Sequence, residues 1–373
     1  FMNVGILTFH RAHNCGAMLQ NYALQVVLSR MGATPTTIDF NDIGEEHRLP
    51  SFAGWTFRQR IRRVIEFVLS IGVFDLRLAR FNRFRKRNLK TTGWIADGRL
   101  PSGFDCYIVG SDQVFQPNLT KQYRNAFLLE GISPEKRISY AASFGYESLP
   151  EEFRAIYKNS LSQFRAISVR EESGARIIKN ELGLAAPVEV VLDPTLLLDS
   201  SDYEKIETKV RVPNKYVLVY SIGGADGKLR DVANRIVQQM AAKVIVVNAC
   251  RRSRFNTPYD DWLSVSPDRL IYLIRHAAYV VTTSFHGVAF SLVYRRQFTA
   301  IIPKDSKVAG RVPALLNRLG IPERAIPENA PIDRIREQYD SRIDCDAVGR
   351  CLDELRKTSL AFLEKALARG GAR

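Results

Sequence analysis

Short, β-branched apolar runs recur along this chain, and many are followed by a stretch with helical spacing. No other feature constrains the fold as much. "VGILTF", "DCYIVGS", "RISYAASFG", "AISVRE", "KYVLVYSIGG", "KVIVVNA", "YVVTTS" and "QFTAII" read as strands that are apolar on both faces, the pattern of a buried parallel sheet. "PTTIDF" and "VEVVLDPT" add two more to the first half. Between them, "GAMLQNYALQVVLSRMG", "PEEFRAIYKNSLSQF", "SGARIIKNELG", "LRDVANRIVQQM", "SPDRLIYLIRHA" and "HGVAFSLVYR" carry apolar residues at helical spacing. Parallel strands need helical crossovers, so this alternation predicts βαβ units and an α/β fold.

With 373 residues the chain is long for one core, and two domains are expected. The polar stretch "DSSDYEKIETKVRVPNK" separates two sets of strands. The expected division is a Rossmann-like domain over 1–205, a second over 206–340, and a helix over 341–373 packing back across both. A basic, helical insertion of about 44–100 interrupts the first domain. Two such domains with a cleft between them resemble, as an architecture, the B-type glycosyltransferases.

Composition removes several classes of function. No GxGxxG follows the first strand, where "TFHRAHNCGAMLQ" stands instead, and GxxxxGK[ST] is absent; ordinary dinucleotide and P-loop nucleotide binding are not expected. No apolar run is long enough to span a bilayer. The opening "FMNVGILTFH" enters a strand without the zones of a signal peptide. Cysteines 15, 106, 250, 345 and 351 form no CxxC pair, which fits reduced thiols and a cytoplasmic location. His10, His13 and His47 have no ligand spacing, so neither a metal nor a cofactor is expected. The net charge of +15 is concentrated, with eleven Lys or Arg against Glu66 and Asp75 between Arg58 and Lys90. No compact nucleic-acid motif accompanies it, and no nucleic-acid partner is expected. Arginine clusters ("RQRIRR", "RFRKR") alternating with "VIEFVLSIGVF" have the composition of a helix pair lying on an anionic membrane surface, which would place the protein peripherally at the inner face of the cell membrane.

Polar clusters stand at the strand ends: His10 to Gln20, Gly110 to Gln113, Ser143 to Gly145, Ser168 to Glu171, Asp193 to Thr195, and Ser284 to Gly287. In a parallel sheet these share one rim, the rim at which ligands bind. His286 lies between the strand "YVVTTS" and a helix start, where backbone N–H groups attract anions.

In order and spacing, "NCGAMLQNYAL", "YIVGSDQVFQP", "ISYAASFG", "ISVREESG", "VLDPTLLL" and "TTSFHGVAFSL" resemble the polysaccharide pyruvyl transferase family, over about 2 to 320. The resemblance implies a two-domain fold and transfer of pyruvate from phosphoenolpyruvate, as a cyclic ketal, onto two hydroxyls of a sugar in a surface polysaccharide or its lipid-linked precursor. It places the family histidine on His286 and an arginine of the first domain on Arg170. Many members read Arg-Leu-His where this chain has Ser284-Phe285-His286; Lys304, Lys307 or Arg311 are the candidates to restore the lost cation. The expected donor side is therefore Arg170, Ser284, Phe285, His286, Gly287, Lys304, Lys307 and Arg311, in the second domain apart from Arg170. The expected acceptor side, in the first domain, is His10, Asn14, Gly16, Gln20, Ser111, Asp112, Gln113 and Ser143. Chemistry is expected from His286 as proton donor, Arg170 as clamp, and Asp112 or Glu171 as acceptor of the sugar hydroxyl's proton. The rivals are a nucleotide-sugar glycosyltransferase of the same architecture and a non-catalytic glycan-assembly protein, the latter favoured by the missing arginine.

Overall fold

The computed structural model describes residues 2–40, 76–95, 99–223, 225–248, 265–304, 310–331 and 341–368. Most of the basic insertion, His47, Cys250 and Lys307 lie outside these. Two parallel sheets form the framework, as the alternation of strands and helices predicted. The first contains β1 (Met2–Leu7), β2 (Ala33–Thr37), β3 (Cys106–Val109), β4 (Arg137–Ala142), β5 (Ala166–Val169) and β6 (Val188–Val190), in the order β2-β1-β3-β4-β5-β6. The second contains β7 (Tyr216–Ser221), β8 (Lys243–Asn248), β9 (Tyr279–Thr282), β10 (Phe298–Ile302) and β11 (Ala325–Pro327), in the order β11-β10-β9-β7-β8. Every residue of β3, β7 and β9 is buried, which is why these strands read as unbroken apolar runs.

Both sheets start in the middle and grow outward in two directions. The chain order therefore reverses beside β1 in the first sheet and between β7 and β9 in the second. At such switch points the loops leaving adjacent strands diverge and open a crevice above the carboxyl ends. The loops after β1, β3 and β9 carry three of the polar clusters.

Two elements depart from the sequence expectation. The second strand was expected over 35–40 but runs Ala33–Thr37; residues 91–95 lie along its outer edge through bridges at Thr91 and Ile95. The helix expected over 173–183 is α-helical only over Glu172–Arg176 and then widens to a π-helical turn over Ile177–Glu181. The wider turn, closed by Leu182 N–H on the Ile177 carbonyl at 2.9 Å, buries Ile177 and Ile178 together.

β4 is irregular next to the rim. Ala141 has φ +51° and the pairing with β5 shifts between Ser139 and Ala142. Two buried hydroxyls stitch the irregularity. Ser168 Oγ accepts from Ala141 N–H at 3.2 Å and donates to the Ser139 carbonyl at 3.1 Å, while Ser139 Oγ donates to the Ser168 carbonyl at 3.1 Å. The bulge redirects the ends of β4 and β5, where Ser143 and Arg170 emerge.

The helix Cys345–Ala368 braces the first sheet from behind. Its Ser359 Oγ accepts from Leu192 N–H at 2.9 Å, Phe362 packs on Tyr140, and Arg356 donates to the Leu196 carbonyl at 2.6 Å. Its first turn reaches the turn before β10 through Asp346 and Arg295 at 2.5 Å. These contacts grip both flanks of the loop that carries Asp193.

Candidate active site

Residues from both sheets converge on Asp193, which follows β6 and is 1% exposed. Its Oδ2 accepts from Arg170 Nη1 at 2.9 Å and Ser111 Oγ at 2.7 Å, and lies 3.7 Å from His286 Nε2. Its Oδ1 caps the following turn, accepting from Thr195 N–H at 3.0 Å and Thr195 Oγ1 at 2.7 Å. Burial by itself would raise this carboxyl, but His286, Arg170 and Ser111 outweigh burial and hold it well below the usual carboxylate range.

Arg170 leaves the end of β5 and is equally enclosed. Burial opposes its charge, yet Asp193, Glu171 and Asp112 keep the guanidinium above its ordinary value. Its guanidinium lies over the Phe285 ring at 4.7 Å, a cation–π contact that also fixes its plane. Glu171 Oε2 and Asp112 Oδ1 stand 3.6 and 3.8 Å away, and Arg311 Nη1 is 3.9 Å from the same Asp112 oxygen. Burial, with Arg170 beside it, pulls Arg311 down to about 10.

His286 lies in the first turn of the helix Phe285–Val293. Ser284 caps that helix, accepting from Gly287 N–H at 3.3 Å, and Thr282 Oγ1 holds Ser284 N–H at 2.9 Å. Gly287 is required here, since a Cβ would come within 2.3 Å of Thr282 Oγ1. Across the molecule, the helix Cys15–Arg30 starts against the same imidazole: a Cβ on Gly16 would stand 2.0 Å from His286 Nδ1. Two helix N-termini thus meet at one ring. Gly16→Ala is expected to displace the imidazole and lower turnover about 10²-fold, the usual effect of roughly 1 Å of misplacement. Phosphate-release kinetics together with a melting curve check this; unchanged turnover would mean that this ring position is not needed.

The other expected residues divide by where their side chains point. Asp112 (φ +81°) and Ser143 belong to the cluster, and Ser143 Oγ donates to Glu171 Oε1 at 2.6 Å. Gln113 lies beside Gly145, at the margin of the site. His10 does not face it. It is fully buried, with Nε2 on Asp39 at 2.8 Å and Nδ1 on the Thr8 carbonyl at 3.0 Å, so it supports the loop from inside. Gln20 is likewise buried, donating to Thr8 Oγ1 at 2.6 Å. Asn14 is the cap of its helix, with Oδ1 accepting from Gly16 N–H at 2.9 Å. Of the three cations weighed to restore the missing charge, Lys304 is exposed, with its backbone N–H on Glu328 at 3.0 Å. Lys307 lies outside the described residues. Arg311 reaches the cluster.

Asp193 was legible only as part of a strand-end "DPT", with nothing to distinguish it from a turn cap. Its weight comes from Ser111 and Arg170, which are distant in sequence. What the cluster offers a ligand is a set of donors. Nε and Nη2 of Arg170, Nε of Arg311 and Nε2 of His286 are buried with no hydrogen-bond acceptor among the described residues, and Glu171 Oε2 is buried with no donor; the carboxylate oxygens 3.6, 3.8 and 3.7 Å from Arg170 Nε, Arg170 Nη2 and His286 Nε2 stand beyond hydrogen-bond reach. Such donors are costly unless something accepts from them. Among the described residues no group of three His, Cys, Asp or Glu is placed to hold a metal ion.

A model of the polysaccharide pyruvyl transferase family matches residues 14–305. No match is found among curated proteins. Among solved structures the chain is similar to the spinosyn rhamnosyltransferase SpnG (10% identity, TM-score 0.46, 99% of this chain and 100% of that one). It is also similar to UDP-GlcNAc 2-epimerase from Methanocaldococcus jannaschii (10%, 0.46, 92% of each) and to the glycosyltransferase SsfS6 of Streptomyces sp. SF2575 (12%, 0.41, 97% and 96%).

Proposed function

Because this chain belongs to the polysaccharide pyruvyl transferase family, we propose that it transfers pyruvate from phosphoenolpyruvate to two hydroxyls of one sugar, in a surface polysaccharide or its lipid-linked precursor. The observation that carries this reading is the set of buried, unaccepted donors on Arg170, Arg311 and His286. Together they match a small ligand bearing both a phosphate and a carboxylate. Arg170 and Arg311 hold these two groups, with the planar guanidinium of Arg170 suited to a bidentate contact.

The reaction adds a proton to C3 of the enol and leaves positive charge at C2. One sugar hydroxyl attacks C2 and loses its proton, phosphate departs, and the second hydroxyl closes the ketal, losing its own proton. One of the two protons released replaces that used at C3; the other leaves with phosphate. His286 is the donor toward C3, since its Nε2 carries no acceptor and Asp193 lies beside it to stabilise the imidazolium. Glu171 and Asp112 stand beside Arg170 and receive the hydroxyl protons. We assign to Arg311 the cation that Ser284 does not supply, and its approach to Asp112 weighs against a non-catalytic role.

Calorimetry with phosphoenolpyruvate and with nucleoside diphosphate sugars tests the donor. Binding of phosphoenolpyruvate, and phosphate release that requires added saccharide, is the expected result. Tight binding of a nucleotide sugar without binding of phosphoenolpyruvate would overturn the reading in favour of glycosyl transfer; binding without release would leave only the glycan-assembly role.

A further inference from the structure

We infer that the outer face of the helix over 76–88 docks the protein on an anionic lipid bilayer, an interaction independent of the reaction proposed above. Phe81 and Phe84 turn inward and are buried, and Arg77 lies over Phe81, which fixes the rotation of the helix. The opposite side then presents Leu76, Ala79, Arg83, Lys86 and Arg87, all exposed. Their spacings of three, four and seven residues place them on one stripe of an α-helix. Lys90, just beyond the helix, is exposed as well.

The charge on this stripe is uncompensated. Residues 76–90 contain seven Lys or Arg and no Asp or Glu. The side chains of Arg83, Lys86 and Arg87 make no ion pair with a described residue, unlike most arginines around the site. Leu76, at the start of the stripe, is 45% exposed, one of three large apolar side chains so placed among the described residues. The helix is half-buried, with an apolar residue and three cations outward. The apolar Leu76 among the cations is what a bilayer accepts and a phosphate backbone does not call for. A surface of anionic headgroups fits both the charge and the exposed apolar residue. Across the described residues no helix is long and apolar enough to cross a membrane, so the contact is peripheral.

The test is co-sedimentation of the full chain with vesicles of phosphatidylglycerol and phosphatidylcholine, against phosphatidylcholine alone, at low and high salt. Binding is expected only to the anionic vesicles and is expected to fall with salt. The combined substitutions Arg83→Ser, Lys86→Ser and Arg87→Ser should weaken it about a hundredfold, the worth of three surface cations. They should leave the melting temperature and phosphoenolpyruvate binding unchanged, because all three side chains point to solvent. Failure to sediment with anionic vesicles at low salt, equal binding of the triple variant, or equal binding to neutral vesicles would each overturn the inference. So would binding to duplex DNA as strong as that to the vesicles. None of these outcomes bears on the donor, which calorimetry reads separately.

Discussion

His286→Asn lowers turnover by about 10²–10⁴-fold, the worth of a positioned acid or base, while the protein melts close to the parent temperature. Asparagine can keep the helix start and much of the volume but cannot carry a proton between substrate atoms. The ring is enclosed by Gly16 and approached by Asp193, so its loss has no neighbouring histidine to compensate for it: His10 is committed to Asp39 and Thr8. Single-turnover phosphate release separates this effect from donor binding, which calorimetry should find little altered. A variant that folds, binds and turns over like the parent would remove His286 from the chemistry.

Arg170→Met costs about 3–5 kcal/mol of stability at neutral pH, because it strands the buried carboxylate of Asp193 without its main cation. The sign with pH follows. In the parent, Asp193 lies below its unfolded value, so its contribution is complete above roughly pH 4 and is lost only as pH falls further. In Arg170→Met the same carboxyl is raised, and the deficit shrinks as acid neutralises it. Denaturant titrations at several pH values check this, and Arg170→Met with Asp193→Asn should recover part of the loss. A deficit that does not change with pH would mean that packing, not charge, sets the cost. Arg170→Lys, which keeps the charge, should instead weaken donor binding, since the fork geometry is lost.

Much of the framework was legible because it rests on local periodicity. β3, β7 and β9 are buried on both faces and consist mostly of β-branched and aromatic residues, so their class and their parallel pairing could be read from the residues alone. The placement of His286 at a strand-to-helix turn was legible for the same reason. Less so was the end of β2, where edge pairing with 91–95 decided the boundary, and the π-turn at Ile177–Glu181, which depends on how much of Ile177 and Ile178 the core accepts.

The site itself was only partly written in the chain. Motifs pointed to Arg170, Asp112 and His286 because each stands at a strand's carboxyl end, and a parallel sheet collects such ends on one rim. Tertiary structure decided what the side chains do there. Asn14 became a cap and His10 and Gln20 became supports, because a polar group inside a protein must spend its hydrogen bonds on the nearest partner. Asp193 became the centre because Ser111, Arg170 and His286, separated along the chain by up to the length of a sheet, arrive at one carboxylate. Arg311, and not Lys304, reaches the cluster for a reason no spacing contains: its helix begins beside Asp112, whereas Lys304 sits in the turn after β10 with its backbone N–H on Glu328. Periodicity determines which residues reach the rim; electrostatics between parts of the chain far apart in sequence determines which of them face a ligand.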